Sequence, residues 1–428
     1  MTRTGRAVDQ GQRLGLTILG PEPMDPRADP RALLPLVQRR YQGAVARIEQ
    51  IVNRDSGSFT PDGVNRVADL VERDLRSGGW QVERRPHHPA PGEPLLGDVL
   101  IGRRQGGLSR EAGGRRLLLL AHMDTVFDEG EAAARPFRSE GRRAYGPGVT
   151  DDKAGVVTGV EAVEVLCDDA GFDDFERITV IFSPDEEIGS PFSKAVIREL
   201  AAEHDVAIGL EAARTNGDLV SARKGIAALE VRVAGVAVHA GVRPEKGASA
   251  ALEAAHKTIA LHGLNRRWQG VTCNVGTVRA GTRPNVVAGA AVLELDLRAI
   301  RSDDFERALA AVAEIVADGT VPGTTAELRL LHRHPPMERT PEVLALVAEA
   351  QRVAHDLGFE IGHTATGGAG DANTTAAAGL PTIDGLAPIG GEAHGPSEWL
   401  DLDSLVPRTA LLAGLLARLG SEPPGPGA

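Results

Sequence analysis

Three continuous apolar runs constrain the fold of this 428-residue chain more than any other feature. They lie at 117–120, 178–182 and 206–210. Each run is shorter than a typical helix and has little polar alternation, which is typical of a strand buried on both faces of a sheet. The segment 153–167 has helical apolar spacing and separates the first two runs. Strands that alternate with helices predict an α/β domain built on a mostly parallel sheet.

From about Gly225 the pattern changes to looser alternation, which is typical of half-buried strands. The predicted elements of this segment are strands at 226–238, 272–278, 286–300 and 326–331, and helices at 248–262 and 303–318. Two helices over an antiparallel sheet predict a small α+β domain inserted in the larger one.

The α/β pattern resumes near Pro341, with helices at 341–357 and 402–419 and a strand at 381–385. We therefore predict a discontinuous catalytic domain at 31–221 and 334–420 and an inserted domain at 222–333. Residues 1–30 lack periodicity and are expected to form a loosely ordered extension.

Composition excludes two classes of partner. The net charge is −12, and no basic stripe is present that could neutralise a nucleic-acid backbone. No apolar run approaches the roughly 18 residues of a membrane span. The sequence therefore predicts a protein that binds neither nucleic acid nor membrane, with a cytoplasmic location as the default.

Polar residues with metal-binding side chains directly follow the three buried runs. His122 and Asp124 follow the first, Glu186 and Glu187 the second, and Glu211 the third. Because functional sites of parallel sheets lie at the carboxyl ends of the strands, these side chains are expected to meet at one edge. Taken singly, each has an ordinary structural interpretation as a polar strand exit or an acidic surface loop.

Two Gly-flanked loops add Asp151, after Gly146-Pro147-Gly148, and His394, within 390–395. Two histidines and three carboxylates suit a pair of divalent metal ions that share one carboxylate. Glu186 and Glu187 are adjacent, and adjacent residues of an extended backbone point to opposite sides. One of them could then hold metal while the other acts as a general base.

The motifs HMDTV (122–126), GPGVTDDKAG (146–155) and DEEIGS (185–190) carry a family resemblance. In this order and spacing they resemble the dizinc metallopeptidase family of bacterial glutamate carboxypeptidase, succinyl-diaminopimelate desuccinylase, aminoacylase and peptidase T. The resemblance extends over about 33–419 and implies a three-layer catalytic domain with a ferredoxin-like dimerisation or lid domain.

The resemblance also implies a role for each candidate residue. Asp151 would bridge two metal ions, most plausibly Zn²⁺, although Co²⁺ and Mn²⁺ suit similar ligands. The remaining ligands would be His122 and Glu211 for one ion and Glu187 and His394 for the other. Glu186 would be the general base, and Asp124 would orient His122.

Further matches to the family lie outside the metal ligands. His239 corresponds to a histidine that stabilises the oxyanion, often in the partner subunit's site. The residues that resemble contacts to a substrate carboxylate are Asn285, Arg298, Gly367 and Gly368. The predicted protein is a homodimeric amide hydrolase for a small molecule or peptide with a free carboxylate. The alternatives are an N-carbamoyl or ureido amidohydrolase of the same fold, a catalytically inactive scaffold or binding protein, and a metal-storage or metal-sensing protein.

Overall fold

The structure is a computed structural model that describes residues 25–421. In the first part of the chain, up to Arg223, the helices are α1 (Pro30–Val52), α2 (Pro61–Ser77), α3 (Glu131–Ala134), α4 (Ala154–Glu164) and α5 (Ser193–Ala201). The strands of this part are β1 (Gln81–Arg85), β2 (Val99–Gln105), β3 (Arg116–His122), β4 (Arg138–Glu140), β5 (Arg143–Tyr145), β6 (Arg177–Ser183), β7 (Val206–Gly209), β8 (Ala212–Ala213) and β9 (Leu219–Arg223).

The rest of the chain forms a middle part and a final part. The middle part consists of β10 (Gly225–Ala234), α6 (Ala250–Gly263), β11 (Thr272–Ala280), β12 (Ala290–Ala299), α7 (Ser302–Ala317) and β13 (Thr325–His334). The final part consists of α8 (Pro341–Asp356), β14 (His363–Thr366), α9 (Asp371–Ala377), β15 (Thr382–Ile383), β16 (Ala387–Gly391), β17 (Trp399–Asp401) and α10 (Leu402–Leu419).

A six-stranded sheet of order β1-β2-β6-β3-β7-β15 forms the centre of the larger part of the fold. The strands β6, β3, β7 and β15 are parallel, and β1 and β2 join one edge in antiparallel pairing. The predicted apolar runs form β3, β6 and β7. Leu117 and Leu119 pack into one core, and Leu118 and Leu120 pack into another on the opposite face. Because helices cover both faces, the predicted three-layer α/β architecture is confirmed.

A second, five-stranded sheet of order β4-β5-β17-β16-β8 lies outside the sequence prediction. Its strands have two to five residues. Segments this short contain too few alternating positions to distinguish a strand from a loop. The antiparallel strand β2 was not predicted either.

The middle part has its own sheet and its own core. The sheet has the order β11-β12-β10-β13 and is antiparallel throughout, and α6 and α7 supply apolar residues to one shared core. The chain order βαββαβ with this strand order is the ferredoxin-like arrangement that the resemblance implied. We propose that this part, with bounds near the predicted 222–333, is an inserted domain.

The end of the predicted amino-terminal extension, residues 25–30, has regular structure. Residues 1–24 lie outside the described range. Pro26–Ala28 forms a 3₁₀ turn in which Arg27 pairs with Asp25 at 2.7 Å and Ala28 is buried. Asp29 then caps α1 by accepting a hydrogen bond from the backbone N–H of Arg31. Among residues 25–421, none of the helices combines the length and the apolar character that crossing a membrane requires.

His204 gives the fold a defined sensitivity to acid. Its ring is buried, with Nδ1 2.6 Å from the Leu200 carbonyl oxygen and Nε2 2.8 Å from the Thr179 hydroxyl. Burial lowers the pKa of His204 to about 4. Since the unfolded chain binds this proton first, stability falls as the pH drops from about 6.5 to 4, by about 3 kcal/mol from this residue.

We expect His204→Gln to reduce the loss of unfolding free energy between pH 7 and pH 4 by about that amount. Urea unfolding at several pH values measures it, with the exposed His88→Gln as the matched control. An equal pH dependence in His204→Gln and wild type would show that His204 is not the source.

Candidate active site

The parallel strands of the central sheet deliver four candidate residues to one edge. His122 is the last residue of β3, Glu186 and Glu187 follow β6, and Glu211 follows β7. Because these three strands are neighbours in the sheet, their carboxyl ends place the side chains together. The four side chains expected at strand exits thus lie at one edge of the sheet.

The second sheet supplies the other two candidate ligands. Asp151 lies in the turn between β5 and α4, and His394 lies in the loop between β16 and β17. The strands β5 and β17 are paired, so the two loops are held side by side. Glu398 reinforces this arrangement, because its buried carboxylate accepts hydrogen bonds from the backbone N–H groups of Gly148 at 2.9 Å, Thr150 at 2.8 Å and Asp151 at 3.1 Å.

The Asp151 carboxylate lies between two imidazoles. Its Oδ1 is 3.0 Å from Nε2 of His122, and its Oδ2 is 3.2 Å from Nε2 of His394. Glu211 adds an oxygen 3.7 Å from His122 Nε2, and Glu187 adds one 3.1 Å from His394 Nε2. The five candidate ligands therefore form two groups of three that share Asp151.

The other nitrogen of His122 has a fixed partner. Nδ1 is 3.1 Å from the backbone carbonyl oxygen of Asp124 and 3.3 Å from its Oδ1. These acceptors favour a proton on Nδ1, which leaves the lone pair of Nε2 directed at the cluster. The His122 side chain is 2% exposed, so the ring is held in this orientation by its surroundings.

Glu186 and Glu187 differ from the sequence expectation in backbone conformation. They lie in a 3₁₀ turn, Glu186–Ile188, and not on an extended strand. The cause is the buried Asp124 carboxylate, which accepts hydrogen bonds from the N–H groups of Glu186 at 3.1 Å and Glu187 at 3.2 Å. Both carboxylates nevertheless reach the cluster: Glu187 contacts His394, and an oxygen of Glu186 lies within 4.8 Å of ligand atoms of His122 and Glu211.

The electrostatics of the cluster favour added positive charge. Burial, with repulsion from Asp151, raises the pKa of Glu211 to about 8. Burial also raises the pKa values of Glu186 and Glu187, with further repulsion from nearby carboxylates. Hydrogen bonds to Asp151 and Glu187 raise the pKa of His394 to about 10. These shifts show that the cluster disfavours charged carboxylates and favours a charged imidazolium ion. A bound divalent cation would stabilise the charged carboxylates in the same way.

The donor set fits a metal site. One ligand atom each of His122, Asp151 and Glu187 lies within 4.8 Å of the others, and the same holds for His122, Glu186 and Glu211. Imidazole nitrogen and carboxylate oxygen are ligands that Zn²⁺ and related divalent ions accept. The backbone of His394 has a positive φ of 64°, and a strained residue of this kind is frequent at functional sites.

A cavity of about 890 Å³ opens over the cluster. Asp151, Glu186, Glu187, Glu211 and His394 lie in its lining, and so do Arg298 and Gly368. The Arg298 guanidinium donates from Nε to Asp296 at 2.8 Å and from Nη1 to the Gly367 carbonyl oxygen at 2.7 Å. The structure thus joins the predicted Arg298 to the predicted Gly-rich loop.

Two predicted residues are not in this cavity. His239 and Asn285 are exposed and absent from its lining. They lie together on the inserted part, where His239 bridges to Val286 and the N–H of Ala240 donates to the Asn285 carbonyl oxygen at 3.0 Å. Within one chain, neither side chain meets the metal-ligand cluster.

Three residues of the site were not predicted from the sequence. Asp384 follows β15, the fourth parallel strand, and forms a buried ion pair with Arg223 at 2.7 Å. The predicted strand 381–385 contains Asp384, so the residue was not expected at a strand exit, whereas the structure ends β15 at Ile383 and places Asp384 directly after it. Glu398 and the buried Asp371, which accepts hydrogen bonds from the hydroxyls of Ser183 and Ser190, have no local sequence signal because their partners are distant in the chain.

The relatives of the chain define the class of protein to which it belongs. A cluster of this composition at a strand-end cavity is that of a metallohydrolase. Residues 118–418 match the model of peptidase family M20/M25/M40. Carboxypeptidase G2 of Pseudomonas sp. (strain RS-16) is 30% identical over 380 residues, which cover 88% of this chain and 89% of that protein.

One further relative and one solved structure are also similar to this chain. N-acetyl-L-citrulline deacetylase of Xanthomonas campestris pv. campestris is 30% identical over 208 residues, 46% of this chain and 54% of that protein. The crystal structure of aminopeptidase PepT from Bacillus cereus ATCC 10987 superposes with a TM-score of 0.74 at 23% identity, covering 89% of this chain and 98% of that one. The chain belongs to peptidase family M20/M25/M40 and is an enzyme, a metallopeptidase-type hydrolase whose family uses divalent metal ions.

The variant Glu398→Ala tests whether the Glu398 hydrogen bonds hold the Asp151 turn in place. The change leaves three backbone N–H groups without their acceptor, and each unsatisfied buried donor costs about 1–3 kcal/mol. We expect a loss of unfolding free energy of about 3 kcal/mol or more and a lower content of divalent metal after reconstitution. Urea unfolding and elemental analysis measure these quantities.

The exposed Glu129→Ala is the matched control for loss of a carboxylate. Wild-type stability and metal content in Glu398→Ala would show that the Asp151 turn does not depend on Glu398.

Proposed function

We propose that this protein cleaves an amide bond next to a free carboxylate, and so releases a C-terminal amino acid or deacylates an N-acyl amino acid. The observation that carries the proposal is the Asp151 carboxylate between His122 and His394, with Glu186 beside them at the floor of a substrate-sized cavity. Two relatives support the substrate class by their names, a carboxypeptidase and an N-acetyl amino acid deacetylase.

We assign the proposed ligands to two metal ions according to the contacts within the cluster. Asp151 would be shared, His122 and Glu211 would hold one ion, and Glu187 and His394 would hold the other. Two bound divalent ions, for which Zn²⁺ is our first candidate and Co²⁺ or Mn²⁺ are alternatives, would polarise the scissile carbonyl and lower the pKa of a water molecule. Asp124 would orient His122 through Nδ1.

Glu186 is the proposed general base. Its carboxylate adjoins the cluster without a hydrogen bond to either histidine, and its raised pKa suits a group that must both accept and return a proton. It would take a proton from the attacking water and later deliver it to the nitrogen of the leaving amine.

The substrate carboxylate would dock on Arg298, Gly367 and Gly368. Asn285 lies beside His239, outside the cavity of its own chain, so it would reach this carboxylate from a partner subunit. Arg298 suits this role because its planar fork can bind both carboxylate oxygens. The ion pair of Arg298 with Asp296 is partly exposed, with side chains 36% and 40% accessible. An exposed pair contributes little, at most about 1 kcal/mol, so a substrate carboxylate can replace Asp296.

His239 is proposed to act in the site of a partner subunit. Its exposure and its distance from the cavity of its own chain support this role. The inserted part also presents large apolar side chains to solvent, including Val242 at 68% and Ile259 at 73% exposure, and β11 is an unpaired sheet edge within residues 25–421. Such surfaces favour association, so we propose a homodimer formed through this part. The cytoplasmic location stays a prediction.

Activity on a defined panel tests the proposed reaction. We expect protein reconstituted with Zn²⁺ to hydrolyse N-acyl amino acids or dipeptides, and a chelator to abolish the activity until metal is restored. Turnover of ureido acids alone would replace the proposal with the N-carbamoyl amidohydrolase. The absence of turnover with two metal ions bound would contradict both.

Glu186→Gln tests the base. The amide keeps the size of the side chain but cannot accept the proton, so we expect kcat to fall by about 10²–10⁴-fold while metal content stays near wild type. Steady-state kinetics with elemental analysis measures both. Near-full activity of the variant would remove Glu186 from the role of base.

A mixing experiment tests His239. If His239 serves the partner's site, dimers of a Glu186→Gln subunit and a His239→Ala subunit contain one complete site. Two nearly inactive variants, dissociated and reassociated together, should then recover about a quarter of wild-type activity. Each variant treated alone is the control, and activity of the mixture no higher than theirs would contradict a role in trans.

A further inference from the structure

A second large cavity lies at the opposite edge of the central sheet from the ligand cluster. It has a volume of about 1220 Å³ and is lined by residues of the segments 110–116, 201–205, 336–343 and 376–381, together with Ser302. We call it the rear cavity. Since β3 has seven residues and runs from Arg116 in this lining to His122 in the cluster, the two places are about 20 Å apart. Among residues 25–421, the rear cavity and the cavity over the cluster share no lining residue.

Arg115 is a buried cation in the lining of the rear cavity. The residue is 8% exposed, and its Nε has no hydrogen-bond partner. Within residues 25–421 its guanidinium forms neither a hydrogen bond nor an ion pair. Its backbone is held in place, because its N–H donates to the Gly420 carbonyl oxygen at 2.8 Å and its carbonyl oxygen accepts from the N–H of Glu176 at 3.0 Å. A buried charge without a partner is unfavourable, so an anion that enters the cavity would stabilise it.

The acidic side chains of the rear cavity do not supply that anion. Four of them lie in the lining, and each contacts a group other than Arg115. The pairs are Asp205 with the Arg110 guanidinium, Glu203 with Arg177, Glu338 with the N–H of Ser302, and Glu342 with Thr340. The positive charge of Arg115 is therefore left for a ligand.

Arg116 adds a second donor to the same wall. Its Nη2 donates to Glu176 at 2.6 Å, but its buried Nε has no hydrogen-bond partner. Guanidinium groups bind the oxygens of carboxylates and phosphates, which match their planar geometry and charge. The volume of the rear cavity is sufficient for a molecule of metabolite size.

Helix α9 connects the rear cavity to the cavity over the cluster. Gly368, just before the helix, lines the cavity over the cluster, and Ala376, near its end, lines the rear cavity. Asp371, the first residue of α9, accepts a hydrogen bond from the hydroxyl of Ser190, which follows the turn that contains Glu186. A ligand that contacts the end of α9 would therefore act on a helix whose start is bonded to the active site.

We propose that the rear cavity is a second binding site, for a small molecule with a carboxylate or phosphate group, and that Arg115 anchors this group. The ligand restricts the motion of α9 and of the loop before it, and so acts on the active site from a distance. It is distinct from the substrate, so its binding does not depend on the proposed reaction.

Thermal unfolding and titration calorimetry of the metal-loaded protein measure the binding. The probes are inorganic phosphate and succinate, with sodium chloride at equal ionic strength as the control. We expect at least one probe to raise the Tm of wild type by about 2 °C or more at saturation. Stabilisation by phosphate alone assigns a phosphate ligand, and stabilisation by succinate alone assigns a carboxylate.

Variants separate the rear cavity from the metal site, where anions also bind. Arg115→Met removes the charge and keeps an unbranched stem, and we expect it to weaken binding of the probe at least about tenfold. Arg115→Lys should weaken it less because it keeps the charge. Without the probe, Arg115→Met should have a Tm equal to or above that of wild type, because an unpaired buried charge is removed. The exposed Arg73→Met, and Arg298→Met in the other cavity, should retain the Arg115-dependent binding.

Amide hydrogen exchange tests the connection through α9. We expect the probe to slow exchange in residues 366–377 of wild type, and to leave exchange in this segment of Arg115→Met unchanged. The exposed segment 91–95 is the internal control, since it contacts neither cavity and should not respond.

Each outcome decides one part of the proposal. Equal affinity of wild type and Arg115→Met for both probes would overturn the binding site. A Tm of probe-free Arg115→Met well below that of wild type would also overturn it, because the protein itself would then hold the guanidinium. Binding at Arg115 with unchanged exchange in 366–377 would overturn the connection through α9. Failure to hydrolyse any amide would contradict only the proposed function, since none of these measurements requires turnover.

Discussion

The contact of the Asp151 carboxylate with both His122 and His394 is the interaction on which the site depends. His122 belongs to the central parallel sheet, whereas His394 and Asp151 belong to loops of the second sheet. One carboxylate therefore joins residues that two separate sheets present. Its position is in turn set by Glu398, which gathers three backbone N–H groups of the Asp151 turn into one buried hydrogen-bonded unit.

The charges of the clustered side chains explain why a bound cation would stabilise this site. Four carboxylates converge on two imidazoles, and burial raises the pKa values of Glu186, Glu187 and Glu211 because the charged forms lose solvation and repel one another. The same excess of negative charge favours the protonated form of the histidines. Divalent ions would relieve both effects, which links the stability of this edge of the sheet to the chemistry we propose for it.

The cavity beside the cluster is lined by side chains of both charges. Its lining contains proposed ligands and the proposed base together with Arg214, Arg223 and Arg298. In our proposal the scissile amide lies at the ligands and the substrate carboxylate lies at Arg298. This combination favours the proposed amide hydrolase over a site that would only store metal, because storage requires neither the arginines nor Glu186.

The sequence by itself determined the mostly parallel α/β sheet, the α+β middle part and the strand-exit residues, since buried parallel strands read as continuous apolar runs and their ends share one edge. The three-layer and ferredoxin-like arrangements came from the family resemblance. The Gly-flanked loops also identified Asp151 and His394. Their position beside His122 was implied only by the family resemblance, because the sheet that holds them is made of strands too short to leave a periodic signal. The contacts themselves are seen only in the tertiary structure. It alone disclosed Glu398 and the turn at Glu186–Ile188, whose hydrogen bonds join residues far apart in the chain.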